Sequence, residues 1–299
     1  MIDFRCAYSY DNLLSGRVIF ITGVGRSGTT ILARMLRSMA PIYYFNEPML
    51  FNLMPMGPST PIIFYDDYAK INIMKSFLQG RIEGLDPPRK YNPLGYPESN
   101  RGVANFLEDV NPFFVVKLVN SQPYIGKYME LFPGSTCIHI VRNGIDVIRS
   151  AAELGWYGFE NGPPSKGDIR RFWRLTEGPF NEMVHPDSSC NVPWYVPSDE
   201  VDIWKSSNMV TRLAHSWSIL VQSAGKSFAY EDFCKHPKEF AETIRGNYGL
   251  QITGLMQTCI DDIINHKVSV YPQLSLDDIG EPVREKFAIA MEKMGYELK

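Results

Sequence analysis

Short apolar runs alternate along the chain with segments of helical spacing. The runs at residues 18–22, 42–45, 113–120 and 136–141 are rich in β-branched and aromatic side chains, as buried parallel strands are. Apolar residues at helical spacing follow the first, third and fourth of these runs. Because strands that alternate with helices form a parallel sheet with crossover helices, we predict an α/β fold with helices on both faces of the sheet.

The second half of the chain carries fewer strand signals. A last strand is predicted within residues 226–232, between helices at 214–224 and 236–250. The C-terminal segment 281–297 is amphipathic, which predicts a helix packed on the core. Its apolar side is predicted to consist of Val283, Phe287, Ile289 or Ala290, and Met294.

Two segments depart from the alternating pattern. Residues at about 51–112 contain clusters of Pro and Gly, and residues 155–208 are rich in Trp, Pro, Gly and charge. Such composition is typical of irregular structure, here facing a substrate. We therefore predict one domain over residues 1–299 that carries these two irregular segments.

A glycine-rich turn separates the first predicted strand from its helix. In "VIFITGVGRSGTTILARML", Gly23, Gly28 and Thr30 have the spacing of a phosphate-binding loop (P-loop), whose N–H groups at a helix N-terminus bind an anion. Thr29 replaces the lysine of a nucleoside-triphosphate loop, and Arg26 lies inside the turn. An arginine near the start of the loop suits a shorter group than ATP, so we predict a P-loop-type sheet with a different ligand.

Composition and charge limit the partners of this loop. The chain has 299 residues, of which 44% are apolar and 21% are charged, and its formal net charge is −3. It therefore lacks the overall positive charge that attracts nucleic acid or an anionic membrane, and we expect neither as a partner. Any anion site must be local.

The cysteines and the apolar runs indicate the compartment. The five cysteines are far apart and lack Cys-x-x-Cys spacing, which argues against disulfides and against a zinc site. The sequence contains no apolar run of membrane-spanning length, and its first residues do not have the pattern of a signal peptide. We expect a cytoplasmic protein, with a trimmed luminal domain as the alternative. The cysteines are Cys6, Cys137, Cys190, Cys234 and Cys259.

The loop "GVGRSGTTIL" resembles the 5′-phosphosulfate loop of sulfotransferases that use 3′-phosphoadenosine 5′-phosphosulfate (PAPS). In that loop a basic residue precedes a hydroxyl residue, a glycine and two further hydroxyl residues. The resemblance implies a sulfotransferase-like three-layer fold, PAPS as the sulfuryl donor and 3′-phosphoadenosine 5′-phosphate (PAP) as the product. It also implies that the cofactor-binding loop residues are Gly25, Arg26, Ser27, Gly28, Thr29 and Thr30.

Further segments resemble the same family. "HIVRNGIDVIRS" places Arg142 and Ser150 eight residues apart, as in the family's 3′-phosphate motif. "FVVKLVN" places Lys117 at a strand end, which implies a second cation near the transferred group. "FAYEDF" is similar to the family's Tyr-Glu-Asp segment, so Tyr230 is either an adenine contact or a core tyrosine.

One branch of the family fits the chain less well than the others. The cytosolic branch has a histidine base two residues after the strand lysine and a C-terminal Arg-Lys-Gly motif, but here Val119 stands in that place and the motif is absent. "YYFNEPMLF" instead resembles the Glu-Pro stretch of carbohydrate sulfotransferases, and tyrosylprotein sulfotransferases carry a catalytic glutamate in a comparable region. Glu47 is therefore the candidate base, with a structural carboxylate as the alternative, beside Arg26 and Lys117 as the other catalytic candidates.

The predicted reaction is in-line transfer of a sulfuryl group from PAPS to a hydroxyl or amine of a carbohydrate or small natural product. No metal is required, because the sulfuryl group carries less charge than a phosphoryl group. Residues 51–96 and the aromatic stretch from Trp156 to Trp204 are expected to shape the acceptor pocket. The alternatives are a P-loop kinase of small molecules or nucleosides and a non-catalytic nucleotide-binding protein. The sequence predicts no particular oligomeric state.

Overall fold

The structure is a computed structural model, and it describes residues 15–46, 112–154, 193, 195–223, 225–264 and 274–297. Within these ranges a five-stranded sheet has the strand order β3-β4-β1-β5-β6, and every neighbouring pair is parallel. The five strands are β1 (Val18–Gly23), β3 (Ile42–Asn46), β4 (Phe113–Val119), β5 (Thr136–Val141) and β6 (Ser227–Ala229). A short antiparallel pair is formed by β2 (Met39–Ala40) and β7 (Gln251–Ile252).

The described ranges also contain nine α-helices. They are α1 (Thr29–Arg37), α2 (Ile125–Leu131), α3 (Gly144–Glu153), α4 (Val201–Ser206), α5 (Met209–Gln222), α6 (Tyr230–Lys235), α7 (Pro237–Tyr248), α8 (Leu255–Ile264) and α9 (Val283–Lys293). Three short 3₁₀ turns lie at Gln122–Tyr124, Ser198–Glu200 and Leu276–Asp278.

Strand β1 lies at the centre of the sheet and is buried along its whole length. Successive side chains of a strand point to opposite faces, and those of β1 enter two separate cores. Phe20 packs with Trp217 of α5 in one core, and Ile21 packs with Leu36 of α1 in the other. Helices therefore cover both faces, which confirms the predicted α/β fold.

The parallel arrangement brings four strand ends to one edge of the sheet. β4, β1, β5 and β6 are neighbours in that order, so the residues that follow them are neighbours too. These are Asn120 after β4, the glycine-rich loop after β1, Arg142 after β5 and Tyr230 after β6. Ligands of open parallel sheets bind at this carboxyl edge.

Several predicted elements have different limits in the structure. Helix α5 begins earlier than predicted, at Met209, because the side chain of Asn208 accepts the N–H of Thr211 at 2.8 Å and caps the helix. The predicted strand at 226–232 is shorter, because Tyr230 already begins a helix. The apolar pattern also did not predict α8.

The burial of two side chains refines the predicted division between core and surface. Trp204 lies in α4, within a segment predicted to be irregular, and it is 2% exposed in the core with its ring 5.9 Å from that of His215. It therefore packs the interior and does not offer a stacking surface. On α9, Ala290 is buried and Ile289 is exposed, which settles which of the two faces the core.

Candidate functional site

The loop between β1 and α1 has an unusual backbone conformation. Arg26 has a φ of 72° and Gly28 a φ of 91°, both in the left-handed region. At Gly28 a Cβ atom would lie 2.3 Å from Cδ2 of Tyr230, so a larger residue would meet the aromatic ring. Glycine is thus required at Gly28 both for the backbone angle and for the close approach of Tyr230.

Two of the loop N–H groups are used inside the protein. The N–H of Gly25 donates to Oδ1 of Asn120 at 2.9 Å, and the N–H of Ser27 donates to the carbonyl of Val24 at 3.0 Å. Within the described residues no acceptor is present for four other loop N–H groups. They belong to Arg26, Gly28, Thr29 and Thr30.

These four donors surround the start of α1. Among the described residues no side chain caps this helix, and its first turn contains no acidic residue. These four N–H groups, which bond to none of the described residues, and the positive end of the helix dipole therefore point toward the same space. An anion in this position would satisfy them.

The side chain of Arg26 turns toward helix α3. Its Nε donates to Oγ of Ser150 at 2.9 Å, and Ser150 is 1% exposed. The sequence had placed Arg26 at the transferred group and Ser150 at the 3′-phosphate. The structure brings these two residues into direct contact.

Arg142 lies beside the loop, at the end of β5. Its Nη1 is 3.4 Å from the carbonyl oxygen of Arg26, and its Cζ lies 4.9 Å from the centre of the Tyr230 ring. Its Nε is buried and has no acceptor among the described residues. One face of the guanidinium is thus held by a cation–π contact while a buried donor remains for a ligand.

Tyr230 forms the wall between the loop and Arg142. It is buried in the core against Gly28, and burial, followed by its hydrogen bond with Cys234, raises the pKa of its hydroxyl. The side chain is therefore part of the core and also supports the loop and Arg142. A contact with adenine stays a prediction.

Lys117 lies on β4, on the other side of the loop. It is 4% exposed, and its Nζ donates to Oγ1 of Thr30 at 3.2 Å. In the sheet it is paired with Asn46, the last residue of β3. Glu47 follows in the sequence but lies outside the described residues, so its role as the base stays a prediction.

Sequence reasoning missed four residues that support the site. Asn120, with a φ of 57°, donates its N–H to Gly23 at 3.0 Å while its side chain holds Gly25. A polar residue directly after a buried strand was the available signal. The other three form a hydrogen-bonded group beside Arg142, and no local pattern predicts it. They are Asn143, Glu231 and Tyr296.

The assembled site suits a ligand with more than one anionic group. Arg26, Lys117 and Arg142 contribute three cationic side chains around the N-terminus of α1. In the part of the chain that the structure describes, no three His, Cys, Asp or Glu side chains are placed to hold a metal ion. None of the described helices has the length and apolar character needed to cross a membrane.

The fold and the loop define an α/β protein with a glycine-rich loop at the carboxyl edge of its sheet. Comparison with known families gives a more specific assignment. Residues 18–178, more than half of the chain, match the model of the Sulfotransferase family, and the chain belongs to that family. The match begins at β1 and includes the loop, Lys117, Arg142 and Ser150.

Individual relatives are distant. The chain is 27% identical over 165 residues to an uncharacterized protein of Aquifex aeolicus (strain VF5), a match that spans 48% of this chain and 19% of that protein. The sulfotransferase domain from the olefin synthase of Synechococcus PCC 7002 has a TM-score of 0.50 at 13% identity and covers 95% of this chain and 96% of its own. The sulfotransferase STF9 from Mycobacterium avium has a TM-score of 0.46 at 14% identity, over 98% of this chain and 82% of its own. At 13% identity the likeness to the Synechococcus domain concerns the fold.

Proposed function

We propose that the chain transfers a sulfuryl group from PAPS to a hydroxyl or amine of a small molecule or carbohydrate. The proposal rests on one observation. Among the described residues, no acceptor is present for hydrogen-bond donors at the ends of two adjacent strands, the loop N–H groups after β1 and Nε of Arg142 after β5. Two separate anion sites on neighbouring strands suit a nucleotide that is charged at both its 5′ and its 3′ positions.

The site offers a separate set of hydrogen-bond donors for each charged end of such a nucleotide. The N–H groups and hydroxyls of Thr29 and Thr30, at the start of α1, would bind the 5′-phosphosulfate. Arg142 and Ser150 would bind the 3′-phosphate, with the guanidinium held in place by Tyr230. Arg26, which contacts Ser150, lies between the two sets.

PAPS supplies a sulfuryl group bonded to a phosphate oxygen. The S–O bond to the 5′-phosphate breaks as the oxygen or nitrogen of the acceptor bonds to sulfur, and PAP leaves with the electron pair. Arg26 and Lys117 would stabilise the charge that develops on the phosphate oxygen, as fixed cations do in related phosphoryl transfers. Glu47 would take the proton of the acceptor, and no step requires a metal ion.

The residue at position 29 argues against the kinase alternative. A nucleoside-triphosphate loop places a lysine there to reach the β and γ phosphates, and this chain has Thr29. Lys117 is a buried lysine that instead reaches the start of α1 from β4. The cations therefore surround a short anionic group and do not extend along a triphosphate.

Ligand-induced stabilisation tests the choice of nucleotide. We expect PAP to raise the melting temperature of the protein more than ATP with Mg²⁺ does, since a ligand stabilises the state that binds it. The Arg26→Ala variant should lose most of this shift while keeping the melting temperature of the unliganded protein. Arg245→Ala is a matched control, because Arg245 is an exposed arginine of α7 paired with Glu242. A larger shift with ATP and Mg²⁺ would favour the kinase.

Transfer itself requires a second measurement. Cell extract incubated with the protein and PAPS carrying heavy sulfur should contain a labelled product that mass spectrometry can identify. The Arg26→Ala variant should give no labelled product, and Arg245→Ala should give the same product as the unchanged protein. If PAP binds but no acceptor becomes labelled, the non-catalytic binding protein becomes the better description.

A further inference from the structure

A hydrogen-bonded group holds the backbone on both sides of Arg142. We propose that Glu231 and Tyr296 are positioning residues for Arg142 and set the preference for a nucleotide that carries a 3′-phosphate. This inference rests on the proposed function, which assigns the 3′-phosphate to Arg142. We call Val141, Asn143, Glu231 and Tyr296 the Glu231 clasp.

The contacts of Glu231 reach both neighbours of Arg142. Its Oε1 accepts the backbone N–H of Asn143 at 3.0 Å. Its Oε2 lies 2.8 Å from the hydroxyl of Tyr296, which is also 3.2 Å from the carbonyl oxygen of Val141. The residue after Arg142 thus bonds to the carboxylate directly, and the residue before it meets the Tyr296 hydroxyl, whose single proton is shared between the carboxylate and the Val141 carbonyl. These contacts restrict the direction in which Arg142 leaves the strand.

Asn143 transmits this constraint to helix α3. Its side chain accepts the N–H groups of Ile145 at 3.0 Å and Asp146 at 3.4 Å, and it caps the helix that carries Ser150. The Glu231 clasp thus fixes the start of this helix as well as Arg142. Both proposed ligands of the 3′-phosphate depend on it.

Tyr296 is anchored by the end of α9. Gly295 has a φ of 79° and ends the helix, and the N–H of Tyr296 then donates to the carbonyl of Met291 at 3.0 Å. Met291 also packs beneath Gly144, where an added Cβ would lie 2.8 Å from its Sδ atom. The hydroxyl of Tyr296 is therefore held in place by helix α9, which itself packs against the start of α3.

The charge of Glu231 favours a positioning role over ligand contact. A carboxylate oxygen that faced a bound phosphate would repel it, but both oxygens of Glu231 already accept hydrogen bonds from the protein. Burial, and next the charge of Glu231, raises the pKa of Tyr296, so its hydroxyl stays a donor at neutral pH. The preceding residue, Tyr230, contacts the Arg142 guanidinium. The first two residues of α6 therefore act together, Tyr230 on the side chain of Arg142 and Glu231 on the backbone beside it.

The test compares PAP with adenosine 5′-monophosphate, which lacks the 3′-phosphate. Isothermal titration should show that Tyr296→Phe and Glu231→Gln weaken PAP binding by about three- to tenfold, as expected for the loss of one hydrogen bond. The Kd for adenosine 5′-monophosphate should stay within about twofold, because none of the clasp's hydrogen bonds is made to a loop residue. The ratio of the Kd for PAP to the Kd for adenosine 5′-monophosphate is thus the quantity that changes.

Tyr248→Phe is the matched control. The Tyr248 hydroxyl is 2.6 Å from Oγ1 of Thr136, at the opposite end of the strand that carries Arg142, so its loss removes a similar hydrogen bond away from the site. This variant should leave the ratio unchanged. Equal weakening of both nucleotides by Tyr296→Phe, or no change from either variant, would overturn the positioning role. If the unchanged protein shows no preference for PAP, the proposed function fails first and the inference fails with it.

Discussion

Nε of Arg26 donates to Oγ of Ser150 across 2.9 Å, although the two residues are 124 positions apart. One belongs to the loop after β1 and the other to helix α3, which follows β5. The contact joins the two strand-end regions to which the proposed function assigns the anionic groups of the nucleotide. A nucleotide that binds both would find Arg26 already between them.

Replacing Ser150 should therefore weaken nucleotide binding. Ser150→Ala removes the acceptor of Arg26 and a predicted donor to the 3′-phosphate, and a hydrogen bond to a charged group contributes about 1.5–3 kcal/mol. We expect the Kd for PAP to rise by about tenfold or more, measured by isothermal titration. Ser218→Ala is the control, because Ser218 is a buried helix serine whose hydroxyl bonds to the carbonyl of Ala214. Equal effects of the two substitutions would contradict a specific role of Ser150.

Gly28 offers a prediction about the loop itself. An alanine there would have to keep a φ of 91° with its Cβ 2.3 Å from Tyr230, so the loop or the ring must move. We expect Gly28→Ala to lower the free energy of unfolding by about 1–3 kcal/mol and to weaken PAP binding. Urea unfolding and titration with PAP measure the two effects.

A second glycine provides the comparison. Gly246 lies in helix α7, and a Cβ there would meet nothing within 4 Å. Gly246→Ala should stabilise the protein by about 0.5–1 kcal/mol and leave PAP binding as it is. If Gly28→Ala behaves like Gly246→Ala, the contact with Tyr230 does not constrain the loop.

The central elements were predictable because their signals are local. β1, β4 and β5 are runs of apolar residues, and the loop after β1 is marked by its glycines and threonines within eight positions. The eight-residue spacing of Arg142 and Ser150 is also a local feature. The assignment to the Sulfotransferase family could therefore be anticipated from short stretches.

The contacts that complete the site could not be predicted in this way. Tyr296 meets Val141 across 155 positions, and nothing in either segment indicates the other. Trp204 likewise lies in a stretch with the composition of an irregular surface, and only its packing against α5 makes it a core residue. Long-range contacts depend on how the helices pack on the sheet, which a local pattern does not encode.

The buried His139 should make stability depend on pH. Burial lowers its pKa in the native state to about 4, whereas in the unfolded chain it is about 6.5. Between these values the unfolded chain binds the proton and the native state does not, so the free energy of unfolding falls as the pH decreases from about 6.5 to about 4. Protonation of this group alone should lower the free energy of unfolding by about 2 kcal/mol between pH 7 and pH 5.

Urea unfolding of His139→Leu at both pH values checks this. Between pH 7 and pH 5 the free energy of unfolding of the variant should fall by about 2 kcal/mol less than that of the unchanged protein, because position 139 has no imidazole to protonate. His215, which is also buried among the described residues, remains in both proteins, so its contribution cancels in the comparison. His236→Gln is the control, since His236 is an exposed residue next to Glu239. An unchanged pH dependence in His139→Leu would show that the imidazole is not held neutral by burial.

Glu47 is the candidate base of the proposed transfer. It follows Asn46, which is paired with Lys117 in the sheet, so the candidate base is adjacent in sequence to the strand end that faces a candidate cation. Glu47→Gln keeps the shape of the side chain and removes its basic character. Under saturating substrates we expect kcat to fall by about 10²–10⁴, the usual contribution of a general base, with little change in the Kd for PAP. Glu242→Gln, at an exposed position of α7, should keep full turnover. A Glu47→Gln variant that retains most of its turnover would assign the proton transfer to another group and leave Glu47 a structural role.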